Sequence, residues 1–462
     1  MTAEQIVGFS IYAGAALVFS VAAVLALGTA LEVEGRWGLI MVPALYTLIL
    51  LNSCVAPLLN GRDLYAPGLL VAPSGVGKWL DRLVVVTALT VCVARLVAAA
   101  FSRENRGAGG GGLLVAIGLL FLTNNVLSSA FGTHPEFKHD QYYALFLFAA
   151  VYASRTQDPQ TAIRFTKAGI LIFLAASCVA TAVAPHLTIE RNYPSLLPGV
   201  SIRFWGLDTH ANSIAPLALV YLLLAIHQPF ERRWLQFLGM VLGTVVLVLA
   251  QSKTTWTAAA IAVPLLLVHR SRTWQPAVFS MLALGVLVGV AVLLLPALGI
   301  SVEQLLETRQ GQDATELDGR DVIWSLAVQE WLRNPLFGYG ITMWNDTYRM
   351  QIGLNHAVSA HNQFLQSLSV AGSMGLIGLL IYLGALLRYA IRARRGSQGL
   401  SVALLIVVLL RCLTETPLSI DSFLGTGFVT HLLLVHIAFA YAHRVVRAAR
   451  PAPSLALAGR AA

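Results

Sequence analysis

Long apolar blocks constrain this chain more than any other feature. A helix needs about 20 mostly apolar residues to cross the hydrocarbon core of a bilayer. Thirteen apolar segments can be marked: Ile6–Ala30, Trp37–Pro57, Leu83–Phe101, Gly112–Phe131, Tyr142–Ala153, Ala168–Val183, Ala211–Ile226, Trp234–Ala250, Thr255–Val268, Val278–Leu295, Phe364–Leu387, Leu400–Leu413 and Gly427–Ala442. Composition agrees, with 57% hydrophobic residues, 11% charged residues and a mean hydropathy of +0.72. A soluble domain is about a quarter charged. That excludes a water-soluble enzyme, a disordered protein and a conventional nucleic-acid binder. The predicted fold is all-α, a polytopic integral membrane protein of about 12–13 transmembrane helices. Residues 1–450 read as a single transmembrane domain and 451–462 as a disordered tail. The first segment has no basic leader and runs long, so a cleavable signal peptide is not expected.

Basic residues accumulate in cytoplasmic loops, which orients the spans. Arg388, Arg392, Arg394 and Arg395 form one such group, and Arg444, Arg447 and Arg450 another. Arg155, Arg164 and Lys167, Arg232-Arg233, and His269 to Arg272 are further basic connectors. Alternation assigns all of these to the cytoplasm. The segments Ala184–His210, Gln251–Thr254, Pro296–Ala360 and Thr416–Thr426 then face outward. The long segment 296–360 is a loop region placed before the last three spans. It holds eight acids, among them Asp321, Glu330 and Asp346, and a loop of this length is usually functional. Within it Gly319–Leu332 reads as an amphipathic helix with Asp318 as N-cap, stopped by Asn334-Pro335.

Several patterns carry less. Pro73 to Trp79 resembles the end of a phosphate-binding loop, but Ala72 stands where its first glycine belongs and Trp79 where its Ser/Thr belongs. The four cysteines, Cys54, Cys92, Cys178 and Cys412, lie in apolar runs and read as packing residues. His431 and His436 do not share a helix face well. Arg411 and Glu415, four apart at the end of a span, read equally as a functional pair or as a structural one. No metal-ligand spacing appears, so neither a metal nor another cofactor is expected.

Three outward stretches stand apart. The first is Arg191-Asn192-Tyr193 with Arg203 to Asn212. The second is Gln251-Ser252-Lys253-Thr254. The third runs Gly319-Arg320-Asp321-Val322-Ile323-Trp324, Asn334-Pro335-Leu336-Phe337-Gly338-Tyr339-Gly340, and Ala360-His361-Asn362 leading into a span. They place three arginines, a lysine and a histidine on one side of the membrane, against the usual charge bias. A lipid-borne phosphate or diphosphate is the simplest ligand for such a set. For any one arginine, lipid headgroup contact serves as well, and His361 alone could merely cap the helix that follows it.

The pattern Gly-Arg-x-x-x-Trp, Asn-Pro-x-x-Gly-x-Gly and Ala-His-Asn resembles the O-antigen ligase and polymerase superfamily, from about Arg191 to the end. The resemblance implies a bacterial inner-membrane, multi-pass glycosyltransferase whose active site faces the periplasm. It moves sugar chains from undecaprenyl diphosphate, in the ligase onto lipid A–core. The implied partners are the undecaprenyl-diphosphate-linked polysaccharide, the lipid A–core acceptor and membrane lipids, with no nucleic acid. By the same resemblance His361, Arg320 and Arg203 are catalytic, and Arg191, Lys253, Asn362, Trp324 and Tyr339 bind substrate. Lys253 departs from the arginine many members carry, keeping the charge but losing the fork. The expected chemistry is metal-independent and inverting, with His361 as base and the arginines on the leaving diphosphate. O-antigen polymerase shares these motifs and is the alternative. A protein O-oligosaccharyltransferase is a third enzyme reading. A transporter is the different class; it would place ionisable groups near the midplane and often shows repeated halves.

Overall fold

The computed structural model describes residues 38–65, 75–101, 111–193, 195, 197, 200–271, 320–354, 357–420 and 425–449. The apolar segments Ile6–Ala30 and Val278–Leu295, the expected cap Asp318 and the tail 451–462 lie outside these residues. The described chain is helical almost throughout, as expected for an all-α polytopic membrane protein. Its helices are α1 (Gly38–Leu59), α2 (Gly75–Phe101), α3 (Gly111–Phe131), α4 (Tyr143–Ala153), α5 (Pro159–Val183), α6 (Ala211–His227) and α7 (Arg233–Leu249). They continue with α8 (Lys253–Ser271), α9 (Arg320–Arg333), α10 (Asp346–Ile352), α11 (Gln363–Ala393), α12 (Leu400–Arg411) and α13 (Thr426–Ala449). Two short strands, β1 (Ile189–Arg191) and β2 (Ile202–Phe204), pair antiparallel with Glu190 opposite Arg203.

Among the described residues five helices are long and apolar enough to cross a membrane: α2, α3, α5, α11 and α13. The others that lie in the expected spans are shorter. Helix α4 has 11 residues and α12 has 12. At 1.5 Å per residue these measure about 17 Å, roughly half the hydrocarbon thickness. The chain beyond α12 is therefore irregular where a longer helix would have continued. Such backbone is tolerated at membrane depth only when protein or a water-filled cavity surrounds it.

Packing follows the inverted logic of a lipid-facing protein. Helix α7 exposes Trp234, Phe237, Leu238, Val241, Val245 and Val248 along one stripe. Its opposite face carries Gly239 and Gly243, and these meet Tyr221 and Leu222 of α6. Small residues four apart let two backbones approach where no hydrophobic drive exists between helix and lipid. Helix α6 is buried almost all round, which suits a stripe-free apolar sequence at the centre of a bundle.

The conspicuous loop motif has a structural job. Helix α11 breaks at Gly372, whose φ of 63° and ψ of −162° are not helical. The Asn334–Gly340 segment enters that break. Tyr339 N donates to Ser369 O at 2.8 Å, Gly340 N to Val370 O at 3.0 Å, and Ser373 N to Pro335 O at 2.8 Å. A Cβ on Gly372 would sit 2.3 Å from the Leu336 carbonyl carbon, so only glycine admits the loop. The loop after α3 joins the same sheetlike contact, with Thr133 N and His134 N donating to Gly338 O and Tyr339 O.

Loops sort to two ends of the bundle. At one end Arg203 reaches Ala250 O, Gln251 reaches Ile202 O, and Arg320 reaches Thr414 O. At the other Lys167 donates to Gln228 O, Gln160 to the Tyr441 hydroxyl, and Gly399 packs on His269. Each set bonds within itself, which is the alternation the sequence predicts. Gly75 to Trp79 form the first turn of α2, so the phosphate-loop resemblance is a helix start.

Candidate active site

Several separate segments bring Arg203, Arg320 and His361 together. The β1–β2 hairpin carries Arg203. Gln251 fixes that hairpin to the α7–α8 turn, donating from Nε2 to Ile202 O at 2.7 Å and accepting from Ser195 Oγ at 2.6 Å. The Arg203 guanidinium lies 4.6 Å over the Tyr193 ring. Its Nε donates to Ala250 O at 3.2 Å and its Nη2 to Asn212 Oδ1 at 2.9 Å. Asn212 belongs to the first turn of α6, where His210 Nδ1 caps the helix by accepting from Asn212 N at 3.0 Å.

The third segment is the start of α11. Asn362 is its N-cap, with Oδ1 accepting from Phe364 N at 3.0 Å and Leu365 N at 3.1 Å. His361 is thus not the cap, and its ring is left for other work. Its backbone is left-handed, with φ at 46°. That conformation is uncommon for a residue with a side chain and gathers at functional sites. Neighbours hold it there: Trp324 Nε1 donates to Ala360 O at 3.0 Å, and Ala360 N donates to Gln366 Oε1 at 2.8 Å. Arg320 and Trp324 are four apart on α9 and so share a face. One end of that face steadies the His361 segment while the other reaches the fourth segment, the loop after α12.

That loop supplies Glu415, on which the cluster converges. His361 Nδ1 lies 3.1 Å from Glu415 Oε2. Asn212 Nδ2 donates to Glu415 Oε1 at 2.8 Å, and Arg320 Nη2 stands 3.8 Å from the same oxygen. Arg320 Nη1 also donates to Thr414 O at 3.2 Å. Asn212 therefore bridges Arg203 to Glu415, and Glu415 bridges Asn212 to His361 and Arg320. Burial alone would raise the Glu415 carboxyl. The hydrogen bond with His361 and the charges of His361, Arg411 and Arg320 overturn this and hold it down at about 2. His210 is lowered too, to about 4, by burial first and then by Arg203, with Glu415 partly opposing. It is neutral at pH 7. The side chains of His361, Arg320 and Glu415 are 23%, 20% and 17% exposed, enough for a ligand to reach them.

The remaining nominated residues surround this cluster. Lys253 is exposed at the first residue of α8, beside the turn that holds Arg203. Arg191 stands apart on β1, its guanidinium 3.9 Å over the Tyr65 ring. Tyr339 is buried, its ring 4.3 Å from His134 and 4.9 Å from Tyr348. Trp324 and Asn362 hold the backbone around His361. Sequence reasoning set Glu415 aside as half of a pair with Arg411. The two do feel each other's charge, but their side-chain hydrogen bonds go elsewhere: Arg411 Nη2 donates to Asn212 O at 3.3 Å, while Glu415 faces His361. Asn212 was passed over too. Their signals, an acid at the end of a span and an asparagine one turn into one, were present but not distinctive.

Among the described residues no group of three or more His, Cys, Asp and Glu could hold a metal ion. No curated protein matches the chain. Residues 238–383 match the family model described as O-antigen ligase. That stretch, about a third of the chain, contains Lys253, Arg320, Trp324, Tyr339, His361 and Asn362, and over it the chain is similar to the O-antigen ligase family.

Proposed function

We propose that the chain is a membrane glycosyltransferase that moves O-antigen polysaccharide from undecaprenyl diphosphate to lipid A–core at the periplasmic face of the bacterial inner membrane. The observation that carries this is the convergence of His361, Arg320 and Arg203 on Glu415 and Asn212. Arg320 and Arg411 act on the Glu415 carboxylate, and Arg203 is joined to it through Asn212. The surplus positive charge suits a bound anion, and a diphosphate ester gains negative charge as it leaves.

The parts divide the work as follows. Glu415, ionised at neutral pH, accepts a hydrogen bond from His361 Nδ1–H. That fixes the tautomer and leaves Nε2 as the ring's acceptor. An acceptor-sugar hydroxyl gives its proton to Nε2 while its oxygen attacks the anomeric carbon, and the carbon–oxygen bond to the diphosphate breaks. Glu415 then steadies the imidazolium. Arg203 and Arg320 each commit only part of a five-donor fork to the protein. Their other N–H groups face the departing diphosphate. Attack opposite the leaving group inverts the anomeric centre. Arg191 and Lys253 extend the positive surface towards the lipid phosphate.

Reconstitution tests the reading. Purified protein in vesicles, given undecaprenyl-diphosphate-linked polysaccharide and lipid A–core, should produce a ladder of capped core. Lengthening of the undecaprenyl-linked chains without use of the core would replace ligase by polymerase. Neither product would sink the transferase reading.

A further inference from the structure

The charged cluster leaves unused a cleft on the pocket side of the first turn of α11. It has a volume of about 50 Å³ and its polar lining includes Asn124, Asn125, Gln141, Gln363, Gln366 and Ser419. No residue of that lining carries a charge. Two neighbouring asparagines reach it because α3 widens into a π-helical turn over Leu122–Leu127. Asn124 Nδ2 donates to Gly375 O at 3.0 Å and Asn125 Nδ2 to Ile420 O at 3.5 Å, both across to the elements that close the cleft. Such turns are rare and recur at functional sites. Amides buried inside an apolar span are costly, which gives them a functional presumption.

The cleft and the charged cluster share their walls. Gln366 Oε1 accepts from Ala360 N, next to His361, and Gln363 Oε1 accepts from Leu418 N. With those oxygens committed to backbone, the NH₂ groups are what these two lining residues have left to offer a ligand. The loop after α12 places Glu415 at His361 and, four residues on, Ser419 at the cleft. His361 and Gln363 are two residues apart, so their Cα atoms lie within about 7.6 Å. A group reacting at His361 therefore stands about one sugar residue from the cleft.

Ligand chemistry follows from the lining. Neutral amides and hydroxyls pair with groups that both donate and accept, as sugar hydroxyls do. A phosphate would be drawn to the arginines instead. A water-sized group needs about 10–15 Å³ on this scale, so the cleft takes roughly three to five hydroxyls and no lipid tail. We propose that this amide-lined cleft is a saccharide subsite for the hydroxyl-bearing edge of the sugar beside the reacting centre. The subsite rests on the transferase reading for the identity of that saccharide, which belongs either to the donor chain or to the acceptor core.

The test uses the full-length protein and the variants Gln141→Met, Ser419→Ala and Ser419→Leu. Gln141→Met removes an amide at similar length, and Ser419→Leu fills the cleft from a half-buried loop position. In the transfer assay each lost neutral hydrogen bond should raise one KM about three- to tenfold, with kcat held. A rise for the donor assigns the cleft to the donor sugar, and a rise for the core assigns it to the acceptor. Wild-type values for both KM in Ser419→Leu would overturn the subsite, as would a kcat loss that tracks thermal instability. A second measurement separates this failure from failure of the transferase reading. Phosphate-free oligosaccharides are titrated against wild type, Arg320→Ala and Ser419→Leu in a thermal shift assay. General stabilisation by excluded sugar would be equal in all three. Wild type and Arg320→Ala should show an additional shift that Ser419→Leu lacks, whether or not transfer is seen; equal shifts in all three would refute the cleft.

Discussion

At one end of the bundle Lys167 donates to the Gln228 carbonyl and lies 3.8 Å over the Phe230 ring. Arg95, nearby in kind, donates to Ala153 O and Ser154 Oγ. These cations are consumed by helix-end carbonyls, each within its own corner. At the other end Arg203 and Arg320, with His361, meet at one carboxylate through Asn212 and keep donors in hand. The first arrangement completes helices and holds the charge bias of loops. The second couples four segments that are far apart in sequence and leaves positive charge unbalanced. Charge count alone would rank the first end higher, so what marks a site is the sharing of a partner.

The sharpest way to break that contrast is at His361. His361→Ala should leave the protein folded and inserted, because Asn362, and not His361, caps α11. Transfer should disappear while expression and thermal stability stay near wild type. Near-normal capping in a strain lacking its own enzyme would end the case for a base.

Next come the groups that share Glu415. Glu415→Gln keeps a hydrogen-bond acceptor for His361 but removes the charge that holds the imidazolium and Arg320. A charge-assisted bond contributes about 1.5–3 kcal/mol, so turnover should fall roughly ten- to a hundredfold. Arg203→Lys and Arg320→Lys should lose a similar amount, since lysine is a point donor and cannot form two parallel bonds to a diphosphate. The loss should sit in kcat more than in donor KM if the contact strengthens as charge develops. Arg392→Lys, an exposed position in a basic connector, is the control and should be neutral. Four variants behaving alike would reduce these arginines to headgroup contacts.

Much of this end was legible beforehand, and for a physical reason. Arg203, Arg320 and His361 lie in loops that the basic connectors assign to the outward side, where cations are unusual, so they stand out in a sequence with only 11% charged residues. The helical class and the sorting of loops also follow from apolar length and basic connectors. What was not legible is partnership. Glu415 lies 54 residues from His361 and 203 from Asn212, and no local periodicity links such positions. Nor does a motif announce whether its residues touch substrate. Tyr339 and Gly340 of the Asn-Pro-x-x-Gly-x-Gly segment bond the broken helix α11, and Trp324 holds Ala360. The shortness of α4 and α12 was legible, because their apolar runs, Tyr142–Ala153 and Leu400–Leu413, end within two residues of the helices.

A smaller effect is expected from metal removal. The positive charge at the leaving group is supplied by Arg203 and Arg320 in this reading, so excess EDTA should leave most of the transfer activity. Loss restored specifically by magnesium or manganese would require a divalent ion among the acids of 296–360.

The smallest effect on turnover should come from the opposite end. Lys167→Met removes the donor to Gln228 O and the cation over Phe230, while keeping most of the apolar stem that packs in α5. An orphaned buried carbonyl costs about 1–3 kcal/mol, so the melting temperature in detergent should drop measurably. The charge cluster at Glu415 shares no hydrogen bond with Lys167, and effects at distant sites without common partners add independently. Transfer per folded molecule should therefore match wild type in both kcat and KM. Stability retained with a tenfold loss of kcat would mean that the two ends are coupled through the bundle, and the division between structural and functional cations would have to be redrawn.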